Sequence, residues 1–182
     1  MRAEMKKDGI GGANTKTGLV FEGKTDLADF LSRQKNYSLA HDKNKFLEVF
    51  YNKKSVAYIF KKHDLYRFLA LRGIDWKTIL SKKLLPDDSI YVIANNVLYI
   101  VEAKFQQTPG SVDEKLQTCD FKKKQYKKLL APLNIDVEYM YLLFDWFRDP
   151  RYKDVLDYIN SVRCDYYFGY IPLNKLGLPV PK

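Results

Sequence analysis

The sequence predicts one α/β domain: a mixed β-sheet flanked by helices. Three observations carry that expectation. The chain has 182 residues and a mass of 21.4 kDa, which suits a single domain better than two. Hydrophobic residues make up 46% and aromatic residues 15%, enough for a substantial core and too much for a disordered chain. The periodicities run helix, strands, hairpin, helix, strand, helix, strand, with no internal repeat or low-complexity linker. The expected domain spans residues 1–182, with 1–16 as a flexible arm and 172–182 as a proline-bearing tail.

Each element has its own signal. Gly9, Gly11 and Gly12 mark the first residues as an arm. From Thr17, a candidate N-cap, Leu19, Val20, Leu27, Phe30 and Leu31 recur at helical spacing until Asn36-Tyr37-Ser38. Phe46–Tyr51 and Ser55–Phe60 read as strands about the turn Asn52-Lys53-Lys54. Leu65 to Leu71 predicts a short helix closed by Gly73, and Asp75 to Leu80 a further helical turn. Ser89–Ala94 and Val97–Val101 flank Asn95-Asn96, a hairpin signal. A helix is expected from Val112 to Leu130, with Ser111 and Glu114 as a capping box, stopping before Pro132. Val137–Phe144 reads as a buried strand. Asp149-Pro150 opens the last helix, and Asp165–Ile171 forms the last strand.

Charge and cysteine content narrow the function classes. Lys plus Arg number 31 against 22 Asp plus Glu, a net charge of +9, which favours a polyanionic partner such as nucleic acid. Cys119 and Cys164 are the two cysteines, with no CxxC or Cys/His grouping, so a zinc module or disulfide framework is not expected. No apolar run reaches the roughly 18 residues of a membrane span, and Met1–Lys7 lacks the apolar stretch of a secretory signal. A cytoplasmic setting is the expectation.

The informative stretch is Pro86-Asp87-Asp88 followed by Glu102-Ala103-Lys104. Acid-x-Lys triplets begin at Glu4, Glu22, Asp75, Glu102, Asp113 and Asp120, so the triplet alone selects nothing. Only Glu102-Ala103-Lys104 ends a strongly apolar strand whose partner strand opens on Pro-Asp. Alternation along a strand puts Glu102 and Lys104 on one face. A two-residue loop at Asn95-Asn96 would set Lys104 opposite Asp87 and Glu102 opposite Ser89. Asp87 then shares their face as a diagonal neighbour, about 5–8 Å from Glu102 at Cβ. Asp88 points the other way under this register, and a bulge would exchange the two aspartates. Two carboxylates repel unless a cation sits between them, and hard oxygen ligands suit Mg²⁺. With Lys104 beside them, the set matches phosphodiester hydrolysis.

These residues resemble the PD-(D/E)XK nuclease superfamily, and more narrowly its type II restriction endonucleases: Pro86-Asp87, fourteen intervening positions, then Glu102-Ala103-Lys104. Thr17–Glu22 is similar to the superfamily's first core helix, whose acid often faces the metal. Ser111 to Tyr126 is similar to the helix after the catalytic hairpin. There Gln117 and Phe121 resemble a glutamine–aromatic motif, with phenylalanine where tyrosine is commoner. The resemblance implies a restriction-endonuclease-like core in αβββαβ order and a Mg²⁺-dependent endodeoxyribonuclease leaving 5′-phosphate and 3′-hydroxyl ends. Asp87, Glu102, the Ala103 carbonyl and Glu22 would then hold the metal, with Lys104 acting on the attacking water and Asp88 as the alternative ligand. It also implies double-stranded DNA as partner, a homodimer and a companion methyltransferase. Gln106, Gln117, Lys122, Lys123 and Gln125 are candidate DNA contacts, a solvated polar face being the alternative. A repair or junction-resolving nuclease and a non-catalytic DNA-binding module are the competing readings. Tyr139, Tyr141 and Phe144 read as core, not as a stacking platform.

Overall fold

A computed structural model describes residues 18–20, 26–105 and 112–181. Strands β1 (Gly18–Val20), β2 (Tyr37–His41), β3 (Leu47–Tyr51), β4 (Lys54–Phe60), β5 (Asp88–Val92), β6 (Val97–Lys104), β7 (Asp136–Leu143), β8 (Asp165–Phe168) and β9 (Tyr170–Pro172) alternate with five α-helices. The helices are α1 (Leu27–Ser32), α2 (Asp64–Ala70), α3 (Val112–Leu116), α4 (Cys119–Leu130) and α5 (Lys153–Ser161). Seven strands form a mixed sheet in the order β2-β3-β4-β5-β6-β7-β8, antiparallel up to β6 and parallel from β6 to β8. Parallel neighbours need long crossovers. Here α3 and α4 carry the chain from β6 to β7, and α5 carries it to β8. Beta-6 is central, and its Leu98-Tyr99-Ile100-Val101 run is buried on both faces.

The sheet separates two cores. On one face Leu98, Ile100, Tyr139, Tyr141 and Leu143 meet Leu116, Cys119, Tyr126 and Leu129, with Leu65 and Tyr66 of α2 and Ile159 of α5 in the same cluster. On the other, Val101, Met140 and Leu142 meet Leu27 and Leu31 of α1 and Ile171, Leu173, Leu176 and Leu178 from the end of the chain. Among the described residues no helix is long and apolar enough to cross a membrane.

The mixed sheet flanked by helices is as expected, and several details correct the local reading. Gly18–Val20, expected in a helix starting at Thr17, is a strand paired with β9, a contact some 150 residues away that local periodicity does not report. The helix begins at Leu27, where the Asp26 carboxylate caps the Ala28 and Asp29 amides. Asn36-Tyr37-Ser38, expected as the helix end, leads instead into the edge strand β2 (Tyr37–His41). The long helix after the hairpin is two helices. The Tyr141 hydroxyl, from β7, donates to the carbonyls of Lys115 (3.1 Å) and Leu116 (3.3 Å), and a side chain inserted into the ladder ends α3 there. The last strand is broken at Gly169 (φ +74°), and the residues after Pro172 pack as a 3-10 helix instead of trailing as a tail. The expected arm and the Ser111 capping box lie outside the described residues.

The hairpin register also differs. Val92 pairs with Val97 and Asp88 with Val101, so the turn is four residues long, not two. Its cause is tertiary: the Ile93 amide stays bonded to the Val56 carbonyl (3.0 Å), and the Asn96 side chain is held by Tyr91 and Asn134. A slip of two residues leaves every side chain on its face. Continued, this register sets Asp87 directly opposite Glu102.

Candidate active site

Strand β6 delivers Glu102 and Lys104 to the α4 face of the sheet, since they continue the Leu98–Ile100 row. Asp87 stands just before β5, and its Oδ2 accepts the Ala103 amide at 3.2 Å, which ties the two strands together at this point. The Lys104 ammonium lies 2.7 Å from Glu102 Oε2 and 3.7 Å from Asp87 Oδ2. The three side chains singled out by the sequence therefore converge. Glu102 is buried, whereas the Asp87 side chain is 55% exposed, so the site opens to solvent on the Asp87 side.

A fourth group completes the cluster. Lys122 of α4 places its ammonium 3.0 Å from Glu102 Oε1, so each carboxylate oxygen of Glu102 carries its own lysine. Burial alone would raise the Glu102 pKa, but Lys104 and then Lys122 outweigh it and hold the carboxyl below the usual range. The expectation for Lys122 was a phosphate contact within a basic tract, and its pairing with Glu102 was not foreseen. The signal was present: Cys119, Lys122, Tyr126 and Leu129 fall on one helical stripe facing the sheet.

The other candidates are dispersed. Lys123 is buried, with its ammonium on Glu138 (2.7 Å) and the Arg163 carbonyl, so it braces α4 against β7 and is withdrawn from the DNA contacts. Gln117 is exposed at the α3–α4 junction, in a cleft with Arg151 and Tyr158. Phe121 is also exposed. Gln125 is half-buried on α4. Tyr139 and Tyr141 are fully buried, as core residues should be. Glu22 and Gln106 lie outside the described residues.

Asp88 takes the opposite face. It is buried and accepts the Leu27 amide at 3.2 Å, fastening the start of α1 to the back of the hairpin. Burial pushes its carboxyl up to about 6, against the lowering effect of that hydrogen bond and of Lys61.

Among the described residues no third carboxylate, imidazole or thiol joins Asp87 and Glu102. The donor set nevertheless fits a hard divalent ion. Two carboxylates face one another, one of them open to solvent, and a cationic ammonium already bridges them.

An antiparallel meander β4-β5-β6 followed by a helix and a parallel strand, with Asp87, Glu102 and Lys104 at the end of the meander, defines a nuclease-type α/β core. A family model described as the PD-(D/E)XK nuclease superfamily domain matches residues 32–127, more than half of the chain, and the chain belongs to that superfamily. Its members are nucleases that act on DNA and generally use divalent metals. No curated protein and no solved structure matches the chain.

Proposed function

We propose that the protein is a Mg²⁺-dependent endodeoxyribonuclease of the type II, site-specific restriction kind. The observation that carries this reading is the convergence of Asp87, Glu102 and Lys104 at the open end of the central hairpin. Asp87, Glu102 and the Ala103 carbonyl would hold the ion. When bound, it supplies charge neutralisation at the phosphate and a lowered pKa for water.

The remaining work falls to the chain's own groups. The Lys104 ammonium orients the attacking water by donating to its oxygen and offsets charge developing on the phosphoryl group. Lys122, resting on Glu102 in the free protein, is the second ammonium within reach of a phosphate. Water oxygen adds to phosphorus as the bond to the 3′-oxygen breaks; the water releases a proton to solvent and the leaving 3′-oxygen takes one up, giving 5′-phosphate and 3′-hydroxyl ends. Each chain offers one such cluster and a duplex has two strands, so a C2 homodimer is the proposed working form. A partner methyltransferase would protect host sites. The proposed setting is the cytoplasm, in keeping with Cys119 and Cys164, both buried and free.

The test is incubation of purified protein with plasmid and genomic DNA, with Mg²⁺ or with chelator. Discrete fragments formed only with Mg²⁺ are expected, and methylated host DNA should resist. Cutting confined to branched substrates would transfer the assignment to a repair or junction-resolving enzyme. DNA binding without any cutting would leave a non-catalytic module.

A further inference from the structure

The insertion between β4 and β5 is not used by this chemistry, yet it holds the densest charge outside α4. Residues 61–83 contain seven Lys or Arg and two Asp, a net +5 of the chain's +9. The insertion folds as α2 followed by a 3-10 turn at Trp76–Thr78, and the two enclose a groove of about 620 Å³. Tyr66 and Trp76 are among its lining residues, their rings edge-to-face at 5.6 Å, together with His63, Arg67, Lys77 and Lys83. The Lys83 ammonium hangs over both rings, 4.9 Å from Tyr66 and 5.1 Å from Trp76.

The acids here neutralise Arg67 but leave Lys77 and Lys83 uncancelled. Asp75 turns its carboxylate onto the Lys77 amide (3.0 Å), and Asp64 pairs with Arg67 (3.1 Å). Lys77 and Lys83 have no ion pair among the described residues. The groove is also fixed to the cutting site. The Tyr66 hydroxyl donates to the Leu84 carbonyl at 2.9 Å and accepts the Leu84 amide at 2.7 Å, clamping the segment that leads to Pro86-Asp87. Asp87 is four positions on from Lys83, so their Cα atoms are at most about 14 Å apart. That places the groove and the candidate cutting site within reach of one short stretch of a strand.

We propose that this groove binds an unstacked nucleotide of the DNA strand running to the cutting site, with the base on Trp76 and the flanking phosphates on Lys77 and Lys83. Aromatic rings ringed by lysines are the chemistry of single-strand recognition, because every base offers a π-face whatever its sequence. Lys83 covers the rings in the free protein and moves to phosphate when a base replaces it. The proposal takes DNA as the polymer from the function proposed above, and its test is arranged to fail separately.

The chain has two tryptophans, so Trp146→Phe leaves Trp76 as the sole reporter. Titration of that protein with a single-stranded oligodeoxynucleotide, in chelator, should quench its fluorescence. Lys77→Gln with Lys83→Gln should reduce the slope of log affinity against log salt by about 1.4. Trp76→Leu should weaken binding about 5–150-fold, the range for one lost base stack. Unchanged Trp76 emission at saturating DNA, or an unchanged salt slope in the double lysine variant, overturns the groove; so does quenching by a blunt duplex but not by a single strand. If the groove fails while Mg²⁺-dependent cutting persists, the proposed function stands. If the oligonucleotide binds the groove and nothing is cut, the function falls and the groove stands.

Discussion

Asp87 and Asp88 are neighbours in sequence and belong to different environments. The carboxylate of Asp87 stands on the α4 side of the sheet, half open to solvent, beside an ammonium and opposite a second acid. That of Asp88 is buried on the α1 side, where it accepts one backbone amide and its ionised form is disfavoured. Alternation along a strand is enough to send two identical side chains to opposite tasks. The task of an acid here follows from its face: on one side two lysines keep the Glu102 carboxyl ionised, and on the other the Asp88 carboxyl serves as a tether.

Substitutions on the two faces should therefore separate activity from stability. Glu102→Gln or Lys104→Ala should lower single-turnover cleavage about 10²–10⁴-fold while DNA affinity in chelator changes little. Equal loss of binding and cutting would mean these residues hold DNA and do no chemistry. Asp87→Asn should reduce cleavage about 10²–10³-fold. Its effect on urea unfolding should stay within about 1 kcal/mol, because the carboxylate is largely solvated.

Asp88→Asn should do the reverse, leaving cleavage within about threefold of the parent and changing the pH dependence of stability. The native Asp88 carboxyl titrates at about 6, above its unfolded value of 3.8. Between those values the folded protein binds more protons than the unfolded chain, so stability falls as pH rises from about 4 to 6, by about 2–3 kcal/mol. Asparagine keeps the acceptor for Leu27 and removes that fall. Urea unfolding in chelator should find the variant level with the parent near pH 4 and more stable above pH 6. A constant difference across that range would show that Asp88 is not held back by burial. Lys61→Met should have the least effect. Its ion pair with Asp26 (2.6 Å) is nearly half exposed and worth under about 1 kcal/mol, and losing its charge should move the Asp88 midpoint further up.

Much of the site was legible in the sequence because it rests on parity. The register inferred from Asn95-Asn96 was wrong by two residues, since Val56 and Asn134 hold the turn from outside the hairpin and the Tyr91 side chain holds it from within. An even slip preserves faces, so Asp87, Glu102 and Lys104 still meet. Lys122 was harder to assign, because a lysine on a helix reads as solvated until the sheet beneath it is known to bear a buried glutamate. Lys123 shows the converse, a basic-tract residue drawn inward by Glu138. The first hairpin turn and the last cap were readable because their signals are local: Asn52 and Lys53 sit at positive φ, and Asp149 caps the Arg151 amide. The β1–β9 pair and the break made by Tyr141 were not, since each depends on residues more than twenty positions away.

The β1–β9 pair has a consequence for biosynthesis. Among the described residues, 18–20 find their strand partner in 170–172, and the second core is completed by Leu173, Leu176 and Leu178. A ribosome must therefore translate through residue 178 before the layer behind the hairpin can close. A nascent chain would carry Asp87, Glu102 and Lys104 well before the segments that brace them from behind, so the candidate site is synthesised ahead of its support.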